Sequence, residues 1–455
     1  MDSYGRITKT DLADLSWIKD WDCMTPGIMG TRFGLELAQL AYDFETEPWT
    51  NAGWTDIAIQ VDRRLLSGIS ALQDDGDWRK IVLNGLVPRV ARRLKLMSNP
   101  ITQIRGLKDE SLLYDTGKAI TLIKPLPEGR YAVAIGFSGT GRRPQDWVSN
   151  TRFEHPDKLH VGFEYLSELY NSNAEDILFP TAARTLGLES LTFQDVIAEC
   201  HREDSRFSLL LSGHSQGAAV LQVWAYKRLG EGVKEKNLLG TGFASPMVAS
   251  GMDSGQRACP LALFVNTDDV FTRVGLREHL GQVWAFTPDE EFRQQSYGEA
   301  WDDPFFREML GIMNGVRNID QALITLLGFL EALETVPRKE AGVALGHFIS
   351  AMMAPKWLPM AEDTVAKILR FLRMSMRRYY LDLNGWPAPD GEVSEAALMS
   401  QRMLVRHPAP EIAAAFLKTL TITHSLSGQS YGQEDLAPYS YMAVRAFDTL
   451  EPVMA

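Results

Sequence analysis

The stretch LLLSGHSQGAAVL, from Leu209 to Leu221, joins an apolar run to a run of small and apolar residues through a short polar turn. Ser215 lies in that turn, with Gly213 and Gly217 two positions away on either side. The apolar run predicts a buried strand, and the residues after Ser215 predict a helix. A serine between a strand and a helix, with this glycine spacing, is the setting in which a hydroxyl is held above a sheet edge as a nucleophile.

The two glycines have a physical role in such a turn. The turn forces the serine into a strained backbone conformation, and side chains at Gly213 and Gly217 would collide with neighbouring backbone. The backbone N–H of Gln216, at the start of the helix, then points toward a developing oxyanion. Glycine is common enough that G-x-S-x-G alone is a weak signal, but its place between a strand and a helix is specific. We therefore predict Ser215 as the nucleophile and Gln216 as part of an oxyanion hole.

Composition is that of a globular protein with a large core. The chain has 455 residues, of which 45% are hydrophobic and 23% charged, and its formal net charge is −12. That acidic balance argues against nucleic acid as a partner. Cys23, Cys200 and Cys259 are widely spaced and odd in number, which excludes a disulfide framework and a cysteine-based metal motif. No other metal-ligand spacing is seen, so we expect neither a metal nor a cofactor.

The N-terminal residues MDSYGRITKTDLADLSWIKD contain no basic start followed by an apolar stretch, so no signal peptide is visible. The most apolar short run, ALITLLGFL from Ala322, is too short to span a bilayer. We expect a cytoplasmic protein, with export by a route that uses no N-terminal signal left open.

Hydrophobic periodicity divides the chain into four parts. Residues 1–110 predict an N-terminal helical extension, because apolar residues recur at helical spacing in TRFGLELAQLAYDF and TDIAIQVDRRLLSGISAL. Residues 111–287 alternate short β-rich runs with helical patterns, which predicts an α/β fold with a mostly parallel sheet. Residues 288–414 lose the strand signal and predict a large helical insertion, and residues 415–455 return to the core.

Six runs in the second part predict strands: KAITLIKPL, YAVAIGFSG, FSLLLSG, LLGTGF, LALFVN and QVWAF. The first two are separated by Pro127-Glu128-Gly129, which predicts a hairpin. The helical insertion is rich in methionine, a residue that fills irregular packing gaps. It is either a helical layer packed away from the site or a cap that acts as lid and acyl pocket. The apolar side chains that would serve such a cap are Met309, Met313, Phe329, Leu330, Met352 and Met353.

Six segments resemble, in order, the sequence blocks of class 3 lipases, the fungal-type triacylglycerol lipases and their bacterial relatives. They are AVAIGFSGT, DWVSN, LHVGF, LLLSGHSQGAAV, GTGFASP and FVNTDDVFTRVG. The resemblance covers about Ser111 to Phe286 and resumes near His424. It implies an α/β-hydrolase fold and ester hydrolysis through a Ser-Asp-His triad. It explains neither the N-terminal helices nor the region from Thr287 to Leu420.

The resemblance implies roles for individual residues. Ser215 matches the nucleophile of the family, and Thr140 matches the residue that completes the oxyanion hole through its amide and hydroxyl. Ser138 stands where the family usually has an arginine.

The acid of the triad falls in LALFVNTDDVFTRVG, after a predicted strand. Asp269 matches the family position better than Asp268, because Arg273-Val274 then fall at the basic and apolar pair of the family. Thr272 stands where the family has a proline in this turn. Asp268 therefore stays as the alternative for the acid of the triad.

One of the eight histidines has to accept the serine proton while a carboxylate holds its other ring nitrogen. His424, in TITHSLSGQSY, follows the acid in chain order, and its segment resembles the histidine block of the family. The Ser/Gly-rich sequence around it predicts an exposed loop. His214 lies in the turn itself, where its side chain should diverge from that of Ser215. His160 and His279 match family positions that do not hold the base, so we predict His424 as the general base.

These assignments predict a serine ester hydrolase that acts through an acyl-enzyme on an ester or lipid substrate. A phospholipase or an acyl-thioesterase with the same triad is an alternative. So is an inactive hydrolase scaffold whose helical region binds a partner or a membrane. In ILRFLRMSMRRYY the residues Arg370, Arg373 and Arg377 share one helical face. That face either makes transient contact with a membrane or lipid-droplet surface, or is an ordinary solvated face.

Overall fold

One sheet lies at the centre of the described part of the chain. The computed structural model describes residues 12–43, 51–53, 55–56, 119–140, 149–151, 155, 157–173, 186, 188, 191–315, 409–426, 438–445 and 447–453. Within these residues eight strands lie side by side in chain order. They are β1 (Thr55–Asp56), β2 (Ala119–Pro125), β3 (Tyr131–Phe137), β4 (Phe207–His214), β5 (Leu238–Phe243), β6 (Leu261–Asn266), β7 (Gln282–Phe286) and β8 (Glu451–Pro452).

The sheet is mostly parallel. Strands β3 to β7 pair in parallel, whereas β1, β2 and β8 pair antiparallel at the two ends. Every residue of β5 and β6 is buried, as expected for parallel strands that are covered on both faces. The predicted α/β fold with a mostly parallel sheet is therefore confirmed, and each of the six predicted runs forms a strand.

Helices cover both faces of the sheet. They are α1 (Ile28–Asp43), α2 (Val161–Asn173), α3 (Phe193–Glu199), α4 (Gln216–Gly230), α5 (Glu290–Tyr297), α6 (Glu299–Asp302), α7 (Pro304–Asn314), α8 (Ala409–His424) and α9 (Pro438–Arg445). Short 3-10 turns occupy Ser16–Asp20, Pro127–Gly129, Ser149–Thr151, Glu235–Asn237, Val270–Arg273 and Phe447–Thr449.

Helices α1 and α4 lie on opposite faces of β5. A Cβ placed on Gly34 of α1 would fall 1.8 Å from Oγ1 of Thr241, so this helix packs directly on the strand. A Cβ on the next strand residue, Gly242, would instead face Ala218 of α4, at 3.3 Å. Because successive residues of a strand point to opposite faces, the two helices sandwich the sheet.

The N-terminal part of the chain is only partly as predicted. The helix predicted for TRFGLELAQLAYDF is confirmed by α1. The helix predicted for TDIAIQVDRRLLSGISAL is wrong at its first two residues, since Thr55–Asp56 forms the edge strand β1 against Leu122 and Ile123. Pairing with an existing strand edge outweighs the helical period over so short a stretch. Residues 57–72 of that stretch lie outside the described residues.

The described residues between β7 and β8 contain helices and no strand. Helices α5, α6 and α7 follow β7, and α8 and α9 precede β8. Helix α8 runs continuously through the boundary predicted at residue 414. The division into four parts otherwise stays a prediction.

Two properties of the described residues concern membranes and metal ions. None of the described helices combines the length and the apolar character that crossing a bilayer requires. In the same residues there is no cluster of three or more His, Cys, Asp or Glu side chains arranged to hold a metal ion.

Candidate active site

Ser215 occupies a strained turn between β4 and α4. Strand β4 ends at His214 and α4 begins at Gln216, and the backbone of Ser215 has φ 56° and ψ −126°. A positive φ at a residue other than glycine costs about 1–3 kcal/mol and persists only where the surrounding structure imposes it. The Ser215 N–H donates to the carbonyl of Phe243 at the end of β5 (2.9 Å), which holds the turn against the sheet.

The glycines on either side are required by close backbone packing. A Cβ on Gly213 would lie 2.6 Å from the backbone of Gly217, and a Cβ on Gly217 would lie 2.1 Å from the carbonyl oxygen of Phe137. Neither approach is compatible with a side chain. A strained serine between a parallel strand and a helix, flanked by such glycines, has the geometry of the elbow turn in α/β-hydrolase folds. The turn agrees with the predicted fold, and the role of Ser215 as nucleophile stays a prediction.

The loop after β3 lies against the elbow. In the sheet register Phe137 is opposite Gly213, so the chain segments that follow β3 and β4 leave the sheet side by side. A Cβ on Gly139 would lie 3.1 Å from Cβ of Ser215. Thr140 is buried, and its Oγ1 accepts a hydrogen bond from Nδ2 of Asn150 (2.7 Å). Of the two predicted oxyanion residues, Gln216 directly follows Ser215, and Thr140 follows Gly139, whose backbone approaches Ser215.

His424 and Asp269 form a buried pair. Nδ1 of His424 lies 2.7 Å from Oδ2 of Asp269, and the two side chains are 1% and 0% exposed. A carboxylate only accepts, so the imidazole proton is on Nδ1. Nε2 of His424 is also buried and has no hydrogen-bond partner among the described residues. The ring therefore presents one nitrogen whose lone pair is free to accept a proton.

Asp269 is fixed by further donors. It caps the 3-10 turn after β6, where its Oδ1 accepts from the N–H of Phe271 (2.9 Å). The hydroxyl of Tyr439, on α9, donates to its Oδ2 (3.1 Å). Burial and the charge of Asp269 raise the pKa of Tyr439 well above its ordinary value, so this hydroxyl keeps the proton that it donates.

Asp268 faces a different part of the molecule. Its carboxylate accepts from the guanidinium of Arg293 (2.9 Å twice), the hydroxyl of Tyr297 (2.8 Å) and Nδ2 of Asn314 (2.6 Å). These partners belong to α5 and α7, so Asp268 ties the first helices after β7 to the turn. Of the two candidate acids, the structure brings Asp269 to His424.

The exposed loop predicted around His424 is wrong. His424 is the last residue of α8 and is buried. The hydroxyls of the threonines before it donate to carbonyls one turn earlier, Thr419 to Ala415 (2.8 Å) and Thr423 to Thr419 (2.9 Å), so these polar groups have partners within the buried helix. The Ser/Gly-rich sequence that suggested a loop begins only after the helix ends.

Sequence reasoning missed two other contacts of the site. His214 approaches α8: its Nε2 lies 2.8 Å from the carbonyl oxygen of His424, and the two rings are 4.8 Å apart. Nδ1 of His214 meets the hydroxyl of Tyr42, on α1, at 2.8 Å. Tyr42 and Tyr439 are buried, and neither belongs to a motif that the sequence displays.

Of the residues predicted to line a cap, two are described. Met309 and Met313 lie on α7 and are buried. Helix α7 packs against α8, the helix that ends at His424. The remaining four, Phe329, Leu330, Met352 and Met353, and the arginines of the basic stretch, Arg370, Arg373 and Arg377, lie outside the described residues. The cap and the membrane face therefore stay predictions.

Comparison with known proteins gives weak structural likenesses. No family model and no curated protein matches the chain. The lipase of Rhizopus microsporus var. chinensis is 18% identical with a TM-score of 0.26, covering 38% of this chain and 58% of that one. A deletion mutant of the Rhizomucor miehei lipase propeptide complex is also 18% identical, with a TM-score of 0.25 and coverage of 38% and 52%. M37 lipase is 10% identical with a TM-score of 0.30, and coverage is 90% and 93%.

The chain thus spans 52% and 58% of the length of the two lipases named first. At such TM-scores these likenesses carry no argument about activity or substrate.

Proposed function

We propose that the chain is a serine ester hydrolase of class 3 lipase type, in which Ser215, Asp269 and His424 act as a catalytic triad. One observation carries the proposal: a buried histidine is held at Nδ1 by Asp269, its Nε2 has no partner among the described residues, and its backbone carbonyl accepts from His214, the residue before Ser215. An imidazole in this tautomer, oriented by a carboxylate, is the general base that a serine nucleophile needs.

The proposed reaction has two halves. Oγ of Ser215 attacks the ester carbonyl while Nε2 of His424 takes the hydroxyl proton. His424 then gives this proton to the leaving alcohol, which departs as the acyl-enzyme forms. Water attacks the acyl-enzyme with the same base, and the acid and free Ser215 are released. No step needs a metal or a cofactor.

Two electrostatic elements support this chemistry. The backbone amides of Gln216, at the start of α4, and Thr140 would bind the negative oxygen of the tetrahedral intermediate. The carboxylate of Asp269 stabilises the imidazolium and keeps its proton on Nδ1. The hydrogen bonds that Asp269 accepts from the N–H of Phe271 and the hydroxyl of Tyr439 fix its carboxylate beside His424.

The proposed substrate is a carboxylic ester or lipid, and a series of p-nitrophenyl esters of increasing acyl length tests the proposal. We expect turnover of at least one ester, and we expect a fluorophosphonate probe to stop it as the probe labels Ser215. Labelling at another serine, or turnover that survives complete labelling, would contradict the proposed nucleophile. Faster cleavage of phospholipids or acyl thioesters would reassign the substrate within the same mechanism.

A second prediction tests which of the two neighbouring aspartates is the acid of the triad. Asp269→Asn is expected to lower kcat by about 10⁴-fold, because an amide no longer holds the productive tautomer of His424. Asp268→Asn removes a partner of Arg293 and Tyr297 instead, so its main effect is expected on thermal stability. The measurements are kcat and Tm for both variants. If Asp268→Asn is the more harmful to kcat, the acid has been assigned one residue too late.

A further inference from the structure

His214 joins two parts of the site through its two ring nitrogens. Nε2 lies 2.8 Å from the carbonyl oxygen of His424, and Nδ1 lies 2.8 Å from the hydroxyl of Tyr42. A carbonyl oxygen only accepts, so Nε2 carries a proton and donates it. In the neutral ring Nδ1 then has a lone pair and accepts from the hydroxyl of Tyr42.

The hydroxyl of Tyr42 continues this chain of hydrogen bonds. The oxygen of this hydroxyl also packs closely against Gly139 in the loop after β3. A Cβ on Gly139 would lie 2.1 Å from that oxygen, so only glycine permits this approach. The two hydrogen bonds run in one direction, from Tyr42 to His214 and from His214 to the carbonyl of His424. In each bond a group that carries a proton donates to an atom with a free lone pair.

Burial keeps both side chains in the protonation states that this direction requires. Desolvation, together with the nearby His424, lowers the pKa of His214 well below its ordinary value, so its ring stays neutral. Desolvation raises the pKa of Tyr42, which keeps its hydroxyl protonated. A neutral His214 also avoids a second positive charge 4.8 Å from the imidazolium that His424 becomes during the proposed reaction.

The chain connects elements that are distant in sequence. Gly139 precedes Thr140 in the loop after β3, and the accepting carbonyl belongs to the last residue of α8. Carbonyls in the last turn of a helix have no partner within the helix. His214 supplies a hydrogen-bond donor to one of them, the carbonyl of His424. Tyr42 lies near the end of α1, and the N-terminal helix thereby contributes to the site.

We infer that Tyr42 and His214 are positioning residues, which fix the backbone of His424 relative to the oxyanion loop of Gly139 and Thr140. This inference rests on the proposed function. The ring of His424 is held at Nδ1 by Asp269, and its backbone is held by His214, so Nε2 is left with little freedom to move. Small displacements of reacting groups lower the reaction rate. The loss of the hydrogen bond from His424 to Asp269 or to His214 should therefore lower kcat rather than substrate affinity.

The inference is tested by Tyr42→Phe with Tyr170→Phe as the matched control. Tyr170 is also a buried tyrosine, and its hydroxyl bonds Oγ1 of Thr121 (2.9 Å) on β2, away from Ser215. We expect Tyr42→Phe to lower kcat about tenfold, as for one lost hydrogen bond, and to leave KM within about twofold. Tyr170→Phe should keep the wild-type kcat. Equal kcat values in the two variants would overturn the inference.

A conservative pair of variants at His214 separates positioning from packing. Glutamine places its amide N–H near the position of Nε2, whereas asparagine is too short to reach the carbonyl of His424. His214→Gln is therefore expected to retain several-fold more kcat than His214→Asn. If both variants fold and lose kcat equally, the hydrogen bond to His424 has no positioning role.

Proton NMR gives a readout that does not depend on turnover. The Nδ1–H of His424, in its short bond to Asp269, is expected as a low-field resonance in the wild type and in Tyr170→Phe, and to be lost or broadened in Tyr42→Phe. If the wild type and Ser215→Ala are equally inactive on all esters, the proposed function fails, and this resonance still decides the inference. An unchanged resonance in Tyr42→Phe would overturn it.

Discussion

Replacing Ser215 with alanine is expected to abolish ester hydrolysis while the protein stays folded. Without the hydroxyl no acyl-enzyme forms, and removal of a serine nucleophile typically lowers kcat by about 10⁶-fold. The fold should persist because Ser215 is only half-buried and its backbone N–H, which bonds Phe243, is unaffected by the change. The measurements are kcat on the best p-nitrophenyl ester and the thermal unfolding curve.

Ser208 supplies the matched control for this substitution. It is also a half-buried serine of β4, but it lies at the opposite end of the strand from the elbow. Ser208→Ala is expected to keep full turnover. Turnover near the wild-type level in Ser215→Ala would remove Ser215 as the nucleophile. A loss of turnover in both variants without unfolding would mean that small changes in β4, not the hydroxyl, control the activity.

The central strands were predictable because each is a buried apolar run bounded by turn residues. LLGTGF and LALFVN form β5 and β6 without an exposed position, which is the pattern of a parallel strand covered on both faces. The edge strands β1 and β8 contain two residues each. Two residues show no periodicity, and such strands exist only through pairing with a neighbour, which a sequence pattern does not reveal.

The elbow was predictable because its geometry is local. Gly213, Ser215 and Gly217 are close in the chain, and the backbone contacts that exclude side chains there follow from the turn itself. The burial of His424 was not predictable from its neighbours. It depends on helix α8 continuing through its threonines to His424, whereas the Ser/Gly-rich sequence that predicted a loop begins only after that residue.

The contacts of Tyr42 and Tyr439 in the site could not be predicted from the sequence. Tyr42 meets a partner 172 positions away and Tyr439 one 170 positions away. Their hydroxyls matter because tertiary packing brings α1 and α9 to the sheet edge where β4 and β6 end. Before the fold is known, each is one tyrosine on an amphipathic helix.

Removal of the general base is expected to be nearly as damaging as removal of the nucleophile. His424→Ala leaves Ser215 with no group that accepts its proton, and single losses within a triad typically cost about as much as loss of the whole unit, roughly 10⁶-fold in kcat. Nε2 of His424 is buried and has no hydrogen-bond partner among the described residues, as the proposed base requires. The amide of an asparagine or glutamine would not replace it, because neither is a base near neutral pH.

His279→Gln is the control for losing a half-buried imidazole. Burial lowers the pKa of His279 to about 4, so it is neutral in the working pH range. Glutamine is also neutral and is similar in size to the imidazole, so it should preserve the packing at this position. His279→Gln is expected to keep most of the wild-type kcat.

Added imidazole distinguishes a lost base from a damaged fold. Removal of the His424 ring is expected to leave a space beside Asp269 that free imidazole can fill. We expect imidazole to restore part of the turnover of His424→Ala and none of the turnover of Ser215→Ala, where the nucleophile itself is missing. Because only the neutral form accepts a proton, the restored rate should rise with pH as the fraction of neutral imidazole rises. Near-wild-type turnover of His424→Ala without imidazole would mean that another residue accepts the serine proton.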